Sequence, residues 1–207
     1  MKSYGRVLPD AWRIILPIWG VTLFVLILSD EVVLNLFLLA LSAGVAALFY
    51  IPKRVPFEQS ENLLIAPVDG VLETVETDVN GMMRLRFKKG LFDSSVVRAP
   101  LSGSLQKSDV RHGLFLSLHD KKSLSLNEQM SIDYQWYDES VTMRLQCGLY
   151  AFSLLRFCHV GDVEVGDIQA HLTDGYVELL IPSEVKIEVS PGDQVMGGYS
   201  VIARRAS

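Results

Sequence analysis

Ala66-Pro67-Val68-Asp69-Gly70-Val71-Leu72 returns further along the chain as Ala99-Pro100-Leu101-Ser102-Gly103-Ser104-Leu105. A second echo lies nearer the C-terminus, where Val160-Gly161-Asp162-Val163-Glu164-Val165-Gly166 is matched by Ser190-Pro191-Gly192-Asp193-Gln194-Val195-Met196-Gly197. Each Gly-Asp element reads as a turn whose glycine takes positive φ, followed by a short strand. Two pairs of like turns predict a β domain with a pseudo-twofold plan.

The runs around these turns agree. Val71 to Val75, Met83 to Phe87, Ser94 to Val97, Leu114 to Leu118, Met130 to Trp136, Val141 to Gln146, Val177 to Ile181 and Val185 to Val189 are short and β-rich, with Gly, Pro, Asn and Asp between them. That pattern predicts a many-stranded β domain. The paired turns make it a β-barrel sandwich, similar to the small hybrid domains that carry biotin or lipoate. Those domains present a lysine at a hairpin tip; neither hairpin here has a central lysine, so a swinging-arm carrier is not expected.

Ahead of this domain, Trp12 to Ser29 and Val32 to Ile51 are two apolar runs, uncharged apart from Arg13 and separated only by Asp30 and Glu31. At about 1.5 Å per residue each is near the lower limit for a hydrocarbon core about 30 Å thick. A second run follows the first at once, unlike a cleaved signal peptide. The expectation is a transmembrane helical hairpin over residues 1–54, with a mainly β domain over 55–207. Lys2 and Arg6 precede the runs, Arg13 stands at the start of the first, and Lys53 and Arg54 follow them, so the positive-inside rule puts both ends in the cytoplasm of an inner or cytoplasmic membrane.

Composition excludes several classes. A net charge of -5 over 207 residues offers no basic stripe for nucleic acid. His112, His119, His159 and His171 show no HxxxH or HxH spacing, so no metal site is expected. Cys147 and Cys158 lack CxxC spacing and read as buried free thiols, which suits a reducing compartment. No GxSxG, Walker or dinucleotide motif is present. Asp69, before a glycine, reads by default as a turn cap. Arg111-His112-Gly113 and Asn127-Glu128-Gln129 are polar insertions, read as loop tips or as groups facing an anionic head group.

The order of these elements resembles the short bacterial and archaeal phosphatidylserine decarboxylases over essentially the whole chain. Arg54-Val55-Pro56 is similar to their linker, and Ala66 to Val71 to their Ala-Pro-x-Asp-Gly-Val. Arg98 to Gly103 is similar to Arg-Ala-Pro-x-x-Gly, and Asn127-Glu128-Gln129 to Asn-Glu-Arg. His112-Gly113-Leu114-Phe115 resembles His-Pro-Gly-Lys-Phe without its proline and lysine. The strand ending at Pro182 and the Gly192-Asp193 turn fall in the same order. The resemblance implies phospholipid metabolism, a phospholipid membrane as partner, and self-association of the β domain.

It also implies a chemistry. Such proteins cut themselves at a Gly-Ser bond, and the serine becomes a pyruvoyl group that serves as electron sink for decarboxylation. The cut uses an Asp, a His and that Ser. Asp69 matches the aspartate, but Ser95 stands at the histidine position, and Asp174-Gly175 stand where Gly-Ser is expected, counting back from Pro182. Gly103-Ser104 is the only Gly-Ser pair, and it belongs to the early turn repeat. The expectation is therefore a relative without a pyruvoyl cofactor, binding a lipid or a partner, with Arg98, Arg111 and His112 as phosphate-facing candidates. Two alternatives stay open: an active decarboxylase using a non-standard site, and a membrane adaptor without lipid recognition.

Overall fold

A computed structural model describes residues 6–7, 12–52, 54, 60–151 and 154–205. Contacts divide the chain into Ser3–Lys53 and a second unit containing Arg54–Ser207. Of the sequence features above, Lys2, Lys53, Val55 and Pro56 lie outside the described residues.

The first unit holds β1 (Arg6–Val7), α1 (Trp12–Leu28), α2 (Val32–Leu48) and β2 (Tyr50–Ile51). Ser29 and Asn35 shape the turn between the helices: Ser29 Oγ accepts the Glu31 N–H at 3.2 Å, and Asn35 Nδ2 donates to the Ser29 carbonyl at 3.0 Å. Trp19 Nε1 reaches across to the Ser42 carbonyl at 3.5 Å.

Here the expectation of a transmembrane hairpin is corrected. Each helix has 17 residues, about 25 Å of rise against a hydrocarbon core of about 30 Å. No helix among the described residues is long and apolar enough to cross a membrane. The apolar run of the second helix continues to Ile51, but Tyr50 and Ile51 leave it to pair antiparallel with Val7 and Arg6, which costs the helix its last turn. Without a crossing segment the positive-inside argument loses its premise.

The second unit is almost entirely antiparallel β. Its strands are β3 (Leu63–Ile65), β4 (Gly70–Thr77), β5 (Met83–Lys89), β6 (Val96–Arg98), β7 (Gly103–Arg111), β8 (Gln129–Trp136), β9 (Glu139–Cys147), β10 (Leu155–Arg156), β11 (Gly161–Val163), β12 (Ile168–His171), β13 (Gly175–Ile181), β14 (Val185–Ile187), β15 (Gln194–Val195) and β16 (Val201–Arg205), with one short helix, α3 (Ser123–Leu126). Eight strands form one sheet in the order β11-β7-β8-β9-β13-β5-β4-β15, and two three-stranded sheets, β10-β12-β6 and β14-β16-β3, complete the unit. Along β8 and β9 buried residues alternate with partly exposed ones, the mark of a sheet with one face on a core. That core includes Leu72, Leu85, Phe87, Val97, Ile132, Trp136, Met143 and Leu179.

The repeats seen in the sequence bond to each other reciprocally. Ile65 N donates to Pro100 O and Arg98 N to Pro67 O, both at 2.8 Å; Ala66 N donates to Ser200 O and Ala99 N to Asp167 O. Gly198 N returns to Ala66 O as Gly166 N returns to Ala99 O. Gly161 and Gly192 both take positive φ, +133° and +98°. The pseudo-twofold plan is thus a set of exchanged hydrogen bonds. A closed barrel does not follow from it: β11 and β15 end the large sheet as separate edges, and the expected barrel is corrected to an open sheet with two small ones.

One predicted strand is also absent. Leu114 to Leu118 makes only an isolated bridge, Leu114 with Asn127. The Asn127 side chain substitutes for a ladder partner, accepting the Leu116 N–H and donating to the Leu116 carbonyl, each at 2.9 Å. The backbone groups are satisfied without a strand.

Candidate functional site

Two Asp-Gly steps flank the same end of β5. Asp69-Gly70 leads into β4 and Asp174-Gly175 into β13, and both strands pair with β5. The two glycines share one backbone geometry, φ +153° and +154°. A Cβ on Gly70 would overlap the Lys88 carbonyl oxygen, and one on Gly175 the Gln146 carbonyl oxygen. Position 175 therefore admits no side chain in this backbone, for reasons of space and of dihedral angle alike.

Between the two steps stands Lys89, opposite Gly175 in the ladder. Leu85, Phe87 and Lys89 share the buried side of β5, so strand alternation carries the lysine inward, where it is 0% exposed. Its Nζ donates to the carbonyls of Gly90 at 3.0 Å, Asp93 at 3.1 Å and Thr173 at 3.0 Å. Burial lowers its pKa to about 8, against the pull of Asp93, Asp69 and Asp174. The lysine thus ties the loop after β5 to the turn before β13. Sequence reading had not singled it out, although its parity with Leu85 and Phe87 was the available signal.

Asp69 is already engaged. Its carboxylate is paired with the Arg54 guanidinium, Oδ2 receiving Nη2 at 2.6 Å, and Oδ1 accepts the Gly197 N–H at 2.7 Å. In the other half of the repeat, Ser102 Oγ accepts the Val165 N–H at 3.0 Å. Asp69 therefore makes the same bond to the opposite Gly-Asp turn that Ser102 makes, with an arginine added. Asp174 is held as well: Oδ2 accepts the Tyr150 N–H at 3.1 Å, and its carbonyl accepts the Gly148 N–H at 2.9 Å. Ser95 is buried, and its carbonyl receives Leu172 N at 2.8 Å, which places it beside the segment leading to Asp174. Ser95, Lys89, Asp174 and Gly175 thus gather at one place, with Asp69 on the far side of β5.

The three phosphate-facing candidates do not join this group. Arg98 is 2% exposed and donates from Nη1 to the Gly166 carbonyl at 3.0 Å, while a Cβ on Gly198 would overlap its side chain. It is packed between the glycine turns of the two halves. Arg111 lies at the end of β7 and reaches the Asn127 carbonyl at 3.4 Å. The His112 side chain is 86% exposed, its Nδ1 3.2 Å from Glu128 Oε2. No group of three or more His, Cys, Asp or Glu side chains suited to a metal occurs among the described residues.

Known proteins supply a frame for this geometry. The family model described as phosphatidylserine decarboxylase matches residues 45–203. A phosphatidylserine decarboxylase proenzyme of Saccharopolyspora erythraea is 31% identical over 178 residues, covering 80% of this chain and 75% of the relative. That of Solibacter usitatus is 30% identical over 143 residues, 68% of this chain and 70% of the relative. The Wolbachia pipientis proenzyme is 27% identical over 160 residues, 70% and 68% of the two chains. No solved structure matches.

Proposed function

The chain belongs to the phosphatidylserine decarboxylase family, and from that premise we propose that it serves phospholipid metabolism as a non-catalytic relative that binds a lipid or a partner protein. The observation that carries this reading is Gly175. A pyruvoyl group is made from a serine, and the residue at this step has no hydroxyl, with the place of its Cβ taken by the Gln146 carbonyl. The residues present do not fit that cofactor. Around it, Ser95 stands where the resemblance calls for histidine, and both oxygens of Asp69 are occupied by Arg54 and Gly197. Lys89 spends its hydrogens on three carbonyls. The aspartate and the lysine beside the step are thus both engaged.

The proposed location is a membrane surface on the cytoplasmic side. The helical hairpin supports a surface association that stops short of crossing. It carries no charged residue from Ile14 to Ser29 and exposes Leu23, Phe24, Ile27, Val33, Leu36 and Phe37, an apolar surface with no polar face to offset it. Buried free thiols at Cys147 and Cys158 suit a reducing compartment.

Intact-mass spectrometry of the purified protein decides the main point. One chain of 23.1 kDa is expected; two fragments divided near residue 174 would overturn the non-catalytic reading. Flotation with phosphatidylcholine vesicles checks the membrane association, which fails if the protein stays with the soluble fraction.

A further inference from the structure

The outer face of the large sheet carries a groove of about 510 Å³, and its charged lining is unbalanced: Arg84, Arg86, Arg111 and Arg144 against Asp109 and Glu178. Alternation along the strands puts these groups there. Arg86 lies between buried Leu85 and Phe87, Arg144 between buried Met143 and Leu145, and Glu178 between buried Val177 and Leu179. The ladder sets Arg144 directly across from Glu178, and Glu178 directly across from Arg86. The two arginines thus stand two strands apart, about 10 Å at the usual inter-strand spacing.

Both carboxylates of the groove are already committed. Glu178 Oε1 receives Arg86 Nε at 2.7 Å and Nη2 at 2.5 Å, and Asp109 pairs with Lys107 at 2.5 Å. Arg84 pairs with Asp78. Arg144 and Arg111 make no ion pair among the described residues, Arg111 donating only to carbonyls at 3.4 and 3.5 Å. Two planar guanidinium forks with unused donors thus line one groove beside the Arg86–Glu178 pair, and such forks suit the oxygens of a phosphate. The volume is that of a small-molecule site, far more than one inorganic ion fills. It is also a local positive patch on a chain whose net charge is -5, so general attraction of anions does not account for it.

We propose that this groove binds a phosphate ester of small-molecule size, gripped by Arg144 and Arg111. The same chemistry is offered by a free phosphorylated metabolite and by a phospholipid head group, and the site stands whether or not the chain self-processes. Titration calorimetry of the full chain with glycerol 3-phosphate tests the first source. Co-sedimentation with vesicles of phosphatidylserine and phosphatidylcholine, compared with phosphatidylcholine alone, tests the second. Arg144→Ala and Arg111→Ala should each weaken the wild-type binding tenfold or more without moving the unfolding midpoint. Arg144→Lys should recover only part of the loss, because an ammonium cannot make the paired bond. Lys186→Ala, an exposed cation on β14 outside the groove, should change nothing. Loss of soluble binding in the arginine variants identifies a free ester as ligand; loss confined to the phosphatidylserine-dependent part of vesicle binding identifies a head group. Absence of binding in both arms overturns the proposal, as does binding that survives both arginine substitutions or falls equally in Lys186→Ala.

Discussion

Replacing Gly175 by alanine isolates the feature on which the functional reading turns. The methyl group would meet a backbone carbonyl oxygen of β9 in the middle of the large sheet, 3.1 Å from the Gln146 carbon and 3.4 Å from Cys147 Cα. Neither atom can swing aside as a side-chain tip would. Holding a non-glycine residue at φ +154° costs about 1–3 kcal/mol, and overpacking a tight interior adds about 1–3 kcal/mol. A loss of about 2–6 kcal/mol is expected, a large part of a total stability of about 5–15 kcal/mol. For a chain of this size that lowers Tm by roughly 4–24 °C. Gly161→Ala provides the reference, since Gly161 has φ +133° with nothing within 4 Å of its Cβ position; it should lose only the dihedral contribution. Urea and thermal unfolding of both variants measure the difference. If Gly175→Ala is no less stable than Gly161→Ala, the steric argument is refuted, and with it the claim that position 175 has no room for a serine.

Two further outcomes are expected. Lys89 has its folded-state pKa lowered from 10.5 to about 8 by burial, so the unfolded chain binds more protons between these values and stability rises with pH across that window. The contribution is fully present above 10.5 and lost as pH falls through about 8, a change on the order of 3 kcal/mol. Wild type should therefore gain stability relative to Lys89→Met between pH 7.5 and 10.5 in urea titrations; parallel curves would refute it. Burial also pushes the Cys147 thiol up to about 12 and raises that of Cys158, so neither should react with a thiol-disulfide reagent at pH 8 until the protein unfolds, and rapid labelling of the native chain would contradict this.

The β character was legible because alternation survives in runs such as Val177, Leu179 and Ile181, and because turn chemistry repeats at Asp69-Gly70 and Gly192-Asp193. Strand β7 was not, since Gly103–Arg111 offers only Leu105 and Val110 as apolar residues and buries only the first. The hairpin helices were read too long because nothing local shows that Tyr50 and Ile51 will be claimed by Arg6 and Val7. Barrel closure was likewise beyond reach: the echoes specify which turns bond to which, and closure depends on whether distant edges meet. At the site, counting back from Pro182 placed Asp174 and Gly175 at the start of β13, yet their effect on Lys89 required the ladder. A lysine on the core side of a strand runs against the expectation that charge faces water, which is why Lys89 passed unnoticed.

The exchange of hydrogen bonds between the two halves of the repeat has a consequence for how the chain is made. Leu64 in β3 pairs with Ala203 in β16, a separation of about 140 residues, and contacts that distant close slowly. While β16 is still to be synthesised, the edge of β3 that it covers stands open to any other strand, including the same edge of a neighbouring nascent chain. The β unit therefore stays open to edge-to-edge pairing until β16 is made, and stripping that strand off would make the opening permanent.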